Sequence, residues 1–428
     1  MKDMMKKFFS FGLPFVSCVV AVFFLLPSCS SNEEIEQIKS EKSYSVDEGK
    51  NQLVVEIPCR KAWSLSGAAE WCVPATTEGR GKTSITVNVA PNGVEESRSC
   101  TMQAVSEDTR HTITIMQYGA KTIVLPVVFH VLYNDRNDSL QYIDAGRLAD
   151  LLEAANLCYA GEYGGAELNV RFTPATEAPR GKSLAAPGVE YVQRDEYEID
   201  CDVFMTDNSG KYAALLWDPN RYINVFMYQF ASGETTEGNI TSVILGISHF
   251  PYTPVDAYLE GTALIDYPYI SQASLLYPYS VSLNSVCAYE SAMLSTLPHE
   301  LGHYLGLFHV FSESSSESVC IDSDYCEDTP SYNREDYLRY IVWAGGNLSP
   351  GEYAAACILR EGCSGEQFVS VNVMDYNYGY RNRFTPDQRS RVRHVLRNSP
   401  LIPTERNARI QRSMLHDGPI DLPIVTMK

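Results

Sequence analysis

The chain has 428 residues, enough for about two or three domains, and 34 Lys and Arg against 53 Asp and Glu give it a net charge of −19. Lys2, Lys6 and Lys7 against Asp3 put +2 on the first segment, so the remainder carries −21. A surface this acidic repels phosphate backbones and excludes nucleic acid as a partner.

In chain order, residues 1–28 read as a secretory signal: a basic start, an apolar run from Phe8 to Leu26, then Pro27-Ser28-Cys29. A cysteine directly after the cut resembles a bacterial lipoprotein lipobox, from which Pro27 departs. The resemblance implies a lipid on Cys29, a mature chain starting there, and a membrane partner reached through that anchor. An apolar run of about 19 residues could instead span a bilayer, which is the alternative. Residues 29–42 form a tether, and Ser30-Ser31-Asn32-Glu33-Glu34 resembles the export signal of Bacteroidetes surface lipoproteins. That implies a cell-envelope protein of the outer membrane, exposed at the surface. Ten cysteines remain beyond Cys18 and Cys29 as disulfide candidates in an exported protein.

Residues 43–119 form a small all-β domain. Ser84–Val89 and Thr112–Met116 alternate polar and apolar, the period of half-buried strands, with Gly79-Arg80-Gly81 and Pro91-Asn92-Gly93 as turns. Trp63, Trp71-Cys72-Val73-Pro74, Gly79, the Val87–Val89 strand and Met116-Gln117 resemble a BACON domain, which implies an immunoglobulin-like sandwich and glycan or mucin binding. Trp63 and Trp71 serve equally as core aromatics of a spacer, so both readings stay open.

Residues 121–400 form a second domain, followed by a tail, 401–428. Ile123–Tyr133 has the apolar run of a buried strand, with His130 as a core histidine. Asp144–Cys158 is an amphipathic helix with Leu148, Leu151, Leu152 and Ala155 on one side. Further strands are expected at Tyr222–Tyr228, Ser242–Ile247 and Thr262–Asp266, and a helix from about Ser285 carries the motif that follows. Pro298 requires that helix to kink or to begin late. Strands followed by helices give an α+β domain.

His299-Glu300-Leu301-Gly302-His303 and His309 make the pattern H-E-x-x-H-x-x-G-x-x-H, the metzincin form of the zincin signature. His299 and His303 project from one helix face, Gly306 turns the chain, and His309 returns as third nitrogen ligand to Zn(2+). A fourth position stays open for water, which Glu300 can hold as general base. Only eight histidines are present, and three fall at this spacing.

Gly306-Leu307-Phe308-His309-Val310-Phe311, Asp328-Thr329-Pro330, Asn372-Val373-Met374-Asp375-Tyr376 and Phe384-Thr385 with Gln388 resemble, in order, the zinc motif, D-T-P segment, Met-turn and closing F-T-x-x-Q of the pappalysins (peptidase M43-like). The resemblance spans about residues 121–400 and implies a zincin-like catalytic domain. Met374 would lie beneath the zinc as an apolar floor, and Tyr376 would stand near the metal and stabilise the oxyanion. Relatives can bind calcium near D-T-P, which would make Asp322, Asp324 and Asp328 possible Ca(2+) ligands. An insertion, about Ser331–Ser370, separates D-T-P from the Met-turn, with a helix start at Ser349-Pro350-Gly351-Glu352. Cys320, Cys326, Cys357 and Cys363 could make two bridges by three pairings. Thr385-Pro386-Asp387-Gln388 starts a final helix, whose Arg389, Arg391, Arg393 and Arg397 read as a solvated face.

The expected function is that of a zinc metalloendopeptidase anchored to the bacterial envelope, hydrolysing peptide bonds with a zinc-bound water activated by Glu300. Its partners would be protein or peptide substrates, glycoproteins or mucin among them. The alternative is a surface adhesin or glycan-binding lipoprotein with an inactive protease domain. A two-carboxylate glycosidase has no supporting spacing.

Overall fold

Alternating apolar side chains build the first domain. In the computed structural model the described residues are 38–207, 210–231, 234–237, 240–254, 257–265, 279–289, 295–312, 320–376, 378–404 and 426–427. The signal, Cys29, most of the tether and most of the tail lie outside them.

Eight strands make the N-terminal domain: β1 (Ile38–Val46), β2 (Asn51–Ile57), β3 (Ala62–Ser66), β4 (Cys72–Pro74), β5 (Glu78–Arg80), β6 (Thr83–Val89), β7 (Arg98–Ser106) and β8 (Thr109–Gln117). They form a five-stranded sheet, β1-β8-β7-β3-β5, and a three-stranded sheet, β2-β6-β4. β6 buries Ile85, Val87 and Val89, while β8 buries Ile113 and Ile115, so period-two faces enclose one core with Val55, Ile57 and Met102. Trp63 belongs to that core: its indole N–H donates to Gly81 O at 3.2 Å, and a β-carbon at Gly79 would stand 2.3 Å from its ring. Trp71 is half-buried under the Arg98 guanidinium, 4.3 Å from its ring centre.

The second domain is built on β9 (Ile123–Tyr133), the buried apolar run expected there. After α1 (Ala145–Tyr159), β10 (Val170–Pro174) and β11 (Val189–Gln193) pair parallel with successive halves of β9. Past α2 (Cys201–Met205), β12 (Ile223–Tyr228) pairs with its other edge. Next come a hairpin of β13 (Glu234–Glu237) and β14 (Ile240–Val243), then β15 (Gly246–His249), β16 (Tyr252–Pro254), β17 (Ala263–Ile265) and β18 (Val281–Asn284). β18 continues the sheet parallel to β12, and β15 adds antiparallel to β18. The strand expected at Ser242–Ile247 is thus split between β14 and β15, and Asp266 lies outside the described residues. Asp144 caps α1 by accepting from Gly146 N, and Leu148, Leu151, Leu152 and Ala155 pack onto the sheet.

α3 (Thr296–Tyr304) follows, then α4 (Arg334–Asn347), α5 (Pro350–Ile358), the ribbon β19 (Leu359–Glu361) and β20 (Gln367–Val369), and α6 (Pro386–Asn398). β21 (Thr426–Met427) pairs antiparallel with the remaining edge of β15. The Ser349 N–H donates to Glu352 at the start of α5, and Thr385 and Gln388 form the capping box of α6.

Two expectations are corrected. The arginines of α6 are not a solvated face: Arg391 and Arg393 are 4% and 2% exposed, and Arg389, Arg393 and Arg397 all meet Glu48 of the first domain. Of the four late cysteines only Cys320 and Cys363 are bridged, while Cys326 and Cys357 are free and buried. Cys326 is held in the Asp324 turn and Cys357 in α5.

Candidate metal centre

α3 begins late, the resolution that Pro298 demanded. Residues 285–288 form a separate short helical turn, and α3 opens after Ser295 with Pro298 as its third residue. There the missing N–H costs nothing, because the first four N–H groups of a helix have no partner within it. The first bond after it is His299 N to Ser295 O at 3.1 Å.

His299 and His303 share one face of α3. The chain reverses at Gly306, which takes φ +92° while its N–H reaches His303 O and that of Leu307 reaches Gly302 O. A β-carbon at Gly306 would also stand 2.7 Å from Val395 of α6. The turn returns His309, so that His303 Nε2 lies 3.0 Å from the Nε2 atoms of both His299 and His309. All three rings are buried.

Carbonyl oxygens assign the protons. His299 Nδ1 lies 2.8 Å from Val373 O and His303 Nδ1 lies 2.7 Å from Leu307 O, and a carbonyl can only accept. Each of these rings therefore carries its hydrogen on Nδ1 and points a lone pair from Nε2 into the cluster. Burial, then the charge of neighbouring His309, drives both pKa values well below the ordinary range, so these imidazoles are neutral. Converging lone pairs repel unless a cation stands between them. Nitrogens at ~2.0–2.1 Å from a tetrahedral zinc stand roughly 3.3 Å apart, close to this spacing. Among the described residues, these three histidines are the group whose ligand atoms converge for a metal ion. The donor set fits zinc.

Glu300 lies 2% exposed beside them, and burial raises its pKa well above the carboxylate range. Its Oε2 has no hydrogen-bond partner, an orphaned oxygen in a buried site. Met374 lies against the same helix: a β-carbon at Gly302 would meet its sulfur at 2.4 Å. Tyr376 stands close by, its ring centre 4.4 Å from that of His309 and 5.4 Å from that of His299. The sequence-assigned His299, Glu300, His303, His309, Met374 and Tyr376 are thus brought together.

The aspartates assigned to calcium are tied elsewhere. Asp324 is buried, accepts from Cys326 N and Thr329 Oγ1, and has its pKa pushed up to about 7, chiefly by burial. Asp328 accepts from Asp387 N, and Asp322 accepts from Asp324 N at 3.4 Å. His130 is a core residue as expected: it joins Glu190 through Nδ1 and Asn224 through Nε2, far from the cluster in the sheet interior.

Sequence reasoning missed several supports. Asp375 is buried against Arg360, Tyr332 and Ser370, which ties the insertion to the turn carrying Met374. Its place in N-x-M-D-Y was the available signal. Gln388 of α6 exchanges two 3.0 Å hydrogen bonds with Asn372, and Asn372 accepts from Met374 N. Arg391 donates to Gly306 O at 2.5 Å. Gly246, which abuts Glu300, gave no sequence signal.

Comparison with known proteins agrees with this geometry. Residues 207–397 match the Peptidase_M43 family, described as pregnancy-associated plasma protein-A, and residues 61–118 match the BACON family, described as "Putative binding domain, N-terminal". An extracellular metalloprotease of Arthroderma benhamiae is 30% identical over 157 residues, 36% of this chain and 46% of that protein. Extracellular metalloprotease 1 of Coccidioides posadasii is 26% identical over 278 residues, 64% of this chain and 77% of that protein. The chain thus spans about half the length of the first of these curated relatives. Among solved structures, Tannerella forsythia mature mirolysin in complex with a cleaved peptide is 20% identical with a TM-score of 0.41, covering 64% of this chain and 91% of that one. Over residues 207–397 the chain is thus similar to metallopeptidases of the Peptidase_M43 family, and ahead of that stretch, over residues 61–118, to BACON domains.

Proposed function

We propose that the chain is a zinc-dependent endopeptidase of the bacterial cell envelope, held there by lipid on Cys29. One observation carries the catalytic part: three buried Nε2 atoms converge, that of His303 lying 3.0 Å from each of the other two, with two of them presenting lone pairs, beside a carboxylate with an orphaned oxygen. His299, His303 and His309 would hold the zinc. When bound, the ion makes a water acidic and polarises a carbonyl.

The other work falls to the chain's own side chains. Val373 and Leu307 carbonyls fix the tautomer and aim of His299 and His303. Glu300, kept dry by burial and set beside the cluster, takes the water's proton and returns it to the leaving amine. Its raised pKa suits a group that must hold a proton between those events. Tyr376 would offer an O–H to the negative charge that develops on the carbonyl oxygen. Protein or peptide is the substrate class. A secreted or surface location is supported by the relatives' extracellular naming and by the signal read from residues 1–28. Calcium, if bound, would take what Asp322, Asp324 and Asp328 leave free, since Asp324 already accepts from Cys326 N and Thr329 Oγ1 and Asp328 Oδ2 from Asp387 N. Glycan binding by the β domain loses Trp63, which lies in the core.

A peptide library incubated with soluble residues 30–428, with Glu300→Ala alongside, tests the reading. Zinc-dependent cleavage should appear in the parent and fall about 10²–10⁴-fold in the variant. Failure of the parent to bind zinc would overturn it. Zinc binding without cleavage of any peptide would instead favour an inert adhesin.

A further inference from the structure

We propose that Glu48, in the first domain, is a positioning residue for the metal centre in the second: it locks α6, and α6 holds the two backbone turns that aim the zinc-ligand imidazoles.

Glu48 lies in the turn between β1 and β2 and is 1% exposed. Its Oε1 meets Arg393 Nε at 2.6 Å and Arg389 at 3.5 Å, and its Oε2 meets Arg397. Three guanidiniums on one carboxylate make an unequal cluster, in which the single negative charge is the member that cannot be spared. Arg397 also lies over the Tyr118 ring, 4.3 Å from its centre. Arg389 and Arg393 reach Asn169, whose carbonyl also accepts from Ile123 N at the start of β9. The cluster therefore sits where the first domain hands the chain to the second. Burial pulls the Arg393 guanidinium down to about 10 even with Glu48 beside it. Without Glu48, three buried or half-buried cations would face one another, and an uncompensated buried charge is strongly destabilising.

The inner face of α6 does different work. Gln388 holds Asn372, Asn372 holds Met374 N, and the intervening Val373 O receives His299 Nδ1. Arg391 holds Gly306 O, at the reversal between His303 and His309. The connection from Glu48 to His299, and to the Gly306 turn between His303 and His309, thus runs through one helix with contacts at both ends, a contiguous packed path. It makes the β domain a brace for the protease domain, and not a freely swinging module. The link to zinc rests on the function proposed above, whereas the coupling between domains does not.

The full chain, wild type against Glu48→Gln and Glu48→Asp, is measured in two ways: zinc transfer to a coloured chelator, and amide hydrogen exchange of the metal-free protein. In Glu48→Gln, exchange across 386–398 and 371–376 should quicken while β7 and β8 keep their protection. Zinc release should rise about tenfold, the low end for groups behind metal ligands, and Glu48→Asp should fall between. Wild-type zinc release with α6 loosened would overturn the positioning role, and unchanged exchange would overturn the coupling. Quickened exchange in Glu48→Gln, alongside a wild type that binds no zinc, would sink the metal reading while sparing the coupling. Should Glu48→Gln fail to fold, Glu48→Asp, which keeps the charge and shortens its reach, carries the test; the same changes at about threefold support the proposal, and wild-type values overturn it.

Discussion

Gly246 and Glu300 touch through the absence of a side chain: a β-carbon at Gly246 would lie 2.3 Å from Glu300 Oε1. β15 can pass the Glu300 carboxylate only because this residue has no β-carbon. Gly246→Ala should therefore push Glu300 off its position and lower kcat about 10²-fold, the cost of a misplacement near 1 Å. Zinc content should be unchanged, since the three atoms nearest the added β-carbon all belong to Glu300. Turnover and metal analysis of the same sample check it, and a wild-type kcat would refute the steric argument.

Stability should depend on pH through His249, the last residue of the same strand. Burial lowers its pKa to about 4; the neutral ring donates from Nε2 to Met205 O and accepts at Nδ1 from Ser280 N. A base with a lowered folded pKa leaves stability intact above its unfolded value of 6.5 and erodes it as pH falls toward 4. The shift corresponds to about 3 kcal/mol. Urea unfolding at pH 7 and pH 4.5 should show most of that loss in the wild type, and much less in His249→Gln, whose amide can offer both a donor and an acceptor. Equal losses in both proteins would assign the pH dependence elsewhere.

Reduction should loosen the insertion. The Cys320–Cys363 bridge spans a separation of 43 residues, including α4 and α5. Restricting a loop of that length in the unfolded chain is worth about 4 kcal/mol in the chain-entropy description. The double Cys320→Ser, Cys363→Ser protein should lose about 2–4 kcal/mol by denaturant titration. The same protein should be indifferent to reductant, and a wild type equally indifferent would show that the bridge contributes little.

The pairing of β21 with β15 also has a consequence for peptides. Met427 stands opposite Ser248 and Thr426 opposite His249, on the edge of the strand that passes Glu300. An extended peptide laid beside Glu300 would use the backbone groups of that same edge. Deletion of residues 420–428 should raise kcat/KM severalfold for long peptides and leave very short ones unaffected. A fall for both lengths would mean that β21 supports the sheet instead of occupying a peptide's place.

Much of the site was legible because its chemistry is local. The four-residue spacing of His299 and His303, the turn at Gly306 and the N-x-M-D-Y segment each report on geometry within one or two turns of chain. Thr385 with Gln388, Ser349 with Glu352 and Asp144 announced their helices for the same reason. The start of α3 was less legible, since apolar residues from 285 onward suit a helix as well as the short turn and separate helix that occur.

By itself the sequence determined the spacing of His299, His303 and His309 and the strand faces, set by the periodicity of a helix or strand on covalent neighbours, while the Met374 turn was read from a resemblance. Only the tertiary structure decided that Arg391 and Arg393 are buried, that Cys320 takes Cys363, that Gly246 makes room for Glu300, and that Glu48 faces Arg397 across 349 residues. A charged or thiol side chain carries no mark of its partner. Whether it is solvated or paired follows from which distant surface the packed cores bring against it, and burial then makes that partner indispensable.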